Sequence, residues 1–112
     1  MDPKDTSYFI ETAGELTAGD RAKLYGDKYE NHANIARLWS AHLINLGFIT
    51  RELPPHVVTE MQALLKIGRT ASPVHHPDNY VDLVGYGAIS GELREKEEKL
   101  NASRRGALQE AR

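Results

Sequence analysis

The chain has 112 residues, 40% hydrophobic and 27% charged, with 14 Lys and Arg against 16 Asp and Glu and no cysteine. One hydrophobic core is the most that this length supports. A formal charge of −2 argues against a protein that grips nucleic acid by blanket neutralisation of phosphates. The lack of cysteine excludes a disulfide framework, a thiolate zinc site and thiol catalysis.

No run approaches the ~18 apolar residues of a membrane span, and Met1 to Asp5 carries neither the basic nor the apolar region of a signal peptide. The expectation is a cytoplasmic, all-α protein. Residues 1–100 read as a single four-helix-bundle-like domain, and residues 101–112 as a frayed, charged tail.

The first helix is predicted from about Ser7, as N-cap, to Leu24, with Phe9, Ala13, Leu16 and Leu24 at helical spacing. Tyr25-Gly26-Asp27 reads as its stop. The second, from about Tyr29 to Leu46, carries Ile35, Leu38, Trp39, His42, Leu43 and Leu46 on one stripe, with Gly47 after it. Phe48-Ile49-Thr50 reads as a short extended piece with no partner strand. Pro54 and Pro55 suit the first turn of a third helix that carries Val57, Met61, Leu64, Leu65 and Gly68 on one face. Lys66 and Arg69 lie near its end, where they complement the helix dipole.

Thr70 to Pro77 reads as a loop. A fourth helix starts at Pro77 or Asp78 and runs to about Leu100. Its half from Val81 to Ile89 is apolar almost all round, so it is expected to be the most buried. Gly85, Gly87 and Gly91 lower its propensity but admit another backbone. A core of some 90 residues is marginal, so self-association is expected, with Tyr80 and Tyr86 as candidate contacts.

Chemistry is sought where polar groups fall on apolar faces. Asp82 lies inside the apolar half of the fourth helix, four residues after Asp78 and three after Asn79. A buried carboxylate needs a counter-charge. Either Asp82 pairs with Lys66 or Arg69 while Asp78 caps the helix, or Asp82 and Asp78 hold Mg²⁺. In the second helix Asn31 continues the apolar stripe, and Glu30, Asn34 and Arg37 edge it. That pattern suits a site at the mouth of a bundle and equally suits ordinary first-turn residues. Lys66 and Arg69 either face solvent or supply charge for polyphosphate. Asp20 with Arg21 is equally two-sided, and Glu11 with Glu15 reads first as a solvated pair. His32, His42, His56, His75 and His76 show no zinc spacing, and no phosphate-cradling glycine loop is present.

The string Gly19-Asp-Arg-Ala-Lys-Leu-Tyr25-Gly26-Asp-Lys-Tyr-Glu30-Asn31-His32, with Ile35-Ala-Arg-Leu-Trp39, resembles a group of small bacteriophage proteins. So does Leu64-Leu-Lys66-Ile-Gly-Arg69 followed by His76-Pro-Asp78-Asn79-Tyr-Val-Asp82-Leu-Val-Gly85-Tyr86. That group is similar to the MazG-like all-α nucleoside triphosphate pyrophosphohydrolases, including the phage dATP/dGTP pyrophosphohydrolases called MazZ. The resemblance covers roughly Gly19 to Leu93.

It implies a homodimer or dimer of dimers in the host cytoplasm that cleaves a (deoxy)nucleoside triphosphate to monophosphate and pyrophosphate with Mg²⁺ or Mn²⁺. The metal ligands would be Asp82, Asp78 and Glu30, and the catalytic set Glu30, Asp82 and Lys66. Asn31, Asn34, Lys66, Arg69 and Asn79 would bind substrate. Metal-bound water would attack the α-phosphorus, and the leaving pyrophosphate would be neutralised in part by Lys66 and Arg69. The family's Glu-Glu-x-x-Glu run is missing, and Asn79-x-x-Asp82 replaces its Glu-x-x-Asp, so Glu30 with Asn31 and Asn34 would stand in. The competing expectation is a non-enzymatic helical adaptor or inhibitor, or a nucleotide-binding sponge.

Overall fold

A computed structural model describes residues 2–19 and 26–110. Among these residues there are four α-helices and no strand: α1 (Thr6–Ala18), α2 (Lys28–Asn45), α3 (Pro55–Arg69) and α4 (Pro77–Glu110). The all-α expectation holds. Leu24, Asp20, Arg21 and Tyr25 lie outside the described residues.

Local chemistry explains most boundaries. Asp5, two residues before the Ser7 expected as N-cap, caps α1 by accepting the Tyr8 N–H at 2.9 Å. Asp27 caps α2 in the same way through the Glu30 N–H. At the other end of α2, Gly47 takes φ +84°, the Gly47 N–H bonds Ile44 O and the Phe48 N–H bonds Leu43 O. This paired closure needs a left-handed residue and is the reason glycine stands there. Pro54 and Pro55 open α3, and Asp78 supplies negative charge to the first turn of α4.

The 34 residues of α4 form a rod of about 51 Å, and the expected tail continues it as helix to Glu110. α3 folds back along α4 as a hairpin, α1 packs against the first half of α4, and α2 lies against α3. Phe9 of α1 meets Tyr80 of α4 edge-on at 6.4 Å, so one tyrosine expected to mediate self-association also packs within the chain. Gly85 is where α1 comes close: an added Cβ would stand 3.1 Å from Thr17 Cγ2, whereas nothing lies within 4 Å of one at Gly87 or Gly91. Gly87→Ala is therefore expected to raise stability by about 0.5–1 kcal/mol. Gly85→Ala should lower it or leave it unchanged, and parallel thermal melts check the contrast.

Two expectations about burial are overturned. On α3 the buried residues are His56, Val58 and Thr59, while Met61, Leu64 and Leu65 are exposed. Thr59 and Lys66 face α4, so the apolar face points away from it. On α2 the buried positions are Ala36 and Ser40, one residue or about 100° round the helix from Ile35 and Trp39. Half of the predicted stripe is thereby left in solvent, with Leu38 64% exposed. α4 is only partly the buried helix expected of it. Asn79, Val81, Gly85 and Leu93 are buried, but Tyr80 and Val84 are exposed.

Candidate functional site: the polar seam between α3 and α4

Where α3 and α4 face each other, the contact is polar along much of its length. At the C-terminal end of α3, beside the loop that joins it to α4, Lys66 Nζ stands 2.9 Å from Asp82 Oδ2, with the lysine 14% and the aspartate 35% exposed. In the middle, Thr59 Oγ1 donates to His56 O at 3.0 Å and lies 2.6 Å from Ser90 Oγ, which donates to Tyr86 O. At the start of α3, Glu97 takes the His56 backbone N–H at 3.0 Å and the His56 ring Nδ1 at 2.6 and 2.9 Å.

Pro54 offers no side chain to cap α3, so Glu97 of the neighbouring helix satisfies an N–H that would otherwise be orphaned. A carboxylate also suits the positive end of that helix. Arg94 Nη1 lies 3.3 Å from His56 Nε2. A guanidinium has only donors, which makes Nε2 the acceptor and places the ring proton on Nδ1, toward Glu97.

The sequence-predicted residues are divided by this arrangement. Lys66, Arg69, Asp78, Asn79 and Asp82 all belong to one end of the α3–α4 hairpin. Of the two partners weighed for Asp82, the structure selects Lys66. Asn79 is buried, and Arg69 and Asp78 are exposed. Glu30, Asn31 and Asn34 belong elsewhere. The start of α2 sits beside Ile89, Leu93 and Lys96 of α4, at least seven residues and about 10 Å along the helix from Asp82.

The cavity touching Asp82 has a volume of about 130 Å³ and is lined mainly by Ala13, Leu16, Val81 and Ile89. A nucleotide-sized pocket is on the order of 300–1,000 Å³. The described donors of one chain do not gather round a divalent cation either. Among the described residues no three His, Asp or Glu side chains could hold one, and an Asp82 oxygen already faces an ammonium.

Two features escaped the sequence reading. One is the His56–Glu97 joint, whose partners are 41 residues apart. A histidine in the first turn of α3 and an acid 42 residues after Pro55 were the only signals. The other is an open cleft of about 570 Å³ between the start of α2 and the middle of α4, lined by Lys28, Lys96 and Lys99 but also by Asp27, Glu92 and Glu95. Lys28 approaches Glu92 at 3.8 Å. The balanced charge gives this cleft no preference for an anion.

These features define an all-helical domain organised on a two-helix hairpin with a Lys–Asp ion pair at one end and a histidine–carboxylate hydrogen bond at the other. Residues 8–94 match the family described as a domain of unknown function, DUF6378, and the chain belongs to that family. The match ends one residue beyond Leu93, the last buried residue of α4. The Gene 55 protein of Mycobacterium phage L5 is 37% identical over 90 residues, which cover 80% of this chain and 54% of that protein. The Gene 55 protein of Mycobacterium phage D29 is 31% identical over 87 residues, covering 78% and 54%. The chain thus spans about half the length of these phage relatives. No solved structure matches it. No described helix is long and apolar enough to cross a membrane.

Proposed function

We propose that this chain is a (d)NTP pyrophosphohydrolase of phage nucleotide metabolism, turning dATP or dGTP into the monophosphate and pyrophosphate. The observation that carries the reading is the half-buried Lys66–Asp82 pair, with Arg69, Asp78 and Asn79 at the same end of the hairpin. Those residues lie in the strings by which the sequence resembles a group of small phage proteins similar to the MazG-like enzymes, and Asp82 alone carries over directly from the enzymes' own pattern. Lys66 and Arg69 are the cations for the phosphates. Among the described residues the acids required for a metal-dependent reaction are not gathered within one chain, so the active form on this reading is a homo-oligomer in the host cytoplasm.

The second reading, a non-enzymatic phage adaptor, is favoured by a different observation: the cavity beside Asp82 holds only about 130 Å³, too little for a nucleotide. Incubation of the purified chain with each dNTP and Mg²⁺ or Mn²⁺, read out as released pyrophosphate, separates the two. The hydrolase reading expects turnover of dATP or dGTP that falls at least about 100-fold in Asp82→Asn while the helical circular dichroism persists. Nucleotide binding without turnover would mark a sponge, and neither binding nor turnover would leave the adaptor.

A further inference from the structure

We infer that the outward apolar face of α3 is a docking surface for a second copy of this chain. The inference does not depend on the hydrolase reading. The face consists of Val57, Met61, Leu64, Leu65 and Gly68, which recur at helical spacing with no ionisable group among them. Leu64 is 64% and Leu65 60% exposed. The opposite face of the same helix, turned toward α4, holds Thr59 and Lys66 instead. A lone helix hairpin in water would favour the reverse rotation, because burying a leucine is worth about 1.5–3 kcal/mol. The observed rotation is reasonable only if a partner covers the apolar side.

The surface area points to a partner as large as another copy. The chain exposes 8457 Å², against about 6,200 Å² for a compact monomer of its mass. Its radius of gyration is 17.3 Å, against about 13 Å for a compact chain of this length. The projecting end of α4 contributes part of the excess. The remainder includes the apolar faces of α3 and α2, where Leu38 is exposed like Leu64.

A stable dimer needs about 800 Å² from each copy, roughly a third of the excess. The core within one chain is small: among the described residues the buried apolar side chains are Ala13, Ala36, Val58, Val81 and Leu93. A second copy is always present at equal concentration, and the modest charge of −2 opposes self-association only weakly. The apolar centre is edged by exposed Glu60 and Arg69, and an apolar patch with a charged rim is what a two-fold interface buries against itself.

The test is the mass of the full chain in solution by sedimentation or light scattering. The expected wild-type species has twice the 12.5 kDa of one chain, and Leu64→Lys with Leu65→Lys should return it to monomer with its helicity kept. Should that variant fail to fold, the cysteine-free sequence offers a second readout. Oxidised Leu64→Cys should yield a disulfide-linked dimer, whereas Leu108→Cys, exposed on the end of α4, should not. A monomeric wild type, or a dimer that cross-links through Leu108→Cys and not through Leu64→Cys, overturns the inference. The first of those outcomes would assign the face to a different protein or to another part of a longer chain.

Discussion

Glu97→Ala is expected to cost about 2–3 kcal/mol of unfolding free energy and to lower Tm by roughly 10 °C or more. The size follows from what one carboxylate does. It accepts the His56 ring proton and the His56 backbone N–H, and both side chains are 11% exposed. Its removal takes a charged acceptor from two largely buried donors, and the first turn of α3 loses the carboxylate that caps it. Glu97→Gln keeps one acceptor oxygen and should lose less than Glu97→Ala. Urea unfolding followed by circular dichroism measures both. A midpoint for Glu97→Ala within error of the wild type would show that the joint contributes nothing.

The second large effect concerns Lys66. Lys66→Met should destabilise the chain by about 1–2 kcal/mol, because Asp82 is left without its cation in a half-apolar setting. The figure is kept low because Asp82 retains some contact with water, which screens the charge. If the pair serves only the fold, adding Asp82→Leu to Lys66→Met should recover most of the loss, since an apolar pair replaces an ion pair at little cost. On the hydrolase reading the same double variant recovers stability but not pyrophosphate release. Measuring unfolding and turnover across the wild type, Lys66→Met, Asp82→Leu and the double variant therefore separates a structural pair from a functional one.

Much of the local architecture was legible because it depends on near neighbours. Gly47, Pro54 and Pro55 act within a turn of themselves, through a left-handed closure and a fixed φ, whereas Asp27, read as the stop of the first helix, caps the second. The end of α4 was misplaced at Leu100 because its charged residues suit a helix as well as a tail. The Lys66–Asp82 pair was one of two alternatives that the spacing allowed, and spacing alone gave no reason to prefer it. Glu30 was grouped with Asp82 on residue type, and the placement of α2 along α4 separates them.

Helix identity, caps and the single-core limit were set by the amino-acid order, because propensity and hydrogen bonding act over three or four residues. The rotation of each helix was decided by tertiary packing. Periodicity marks which residues share a face, but it carries no information about what that face meets. In α3 the polar side meets α4 through Thr59, Lys66 and Glu97's hold on His56, and Leu64 and Leu65 are left facing outward.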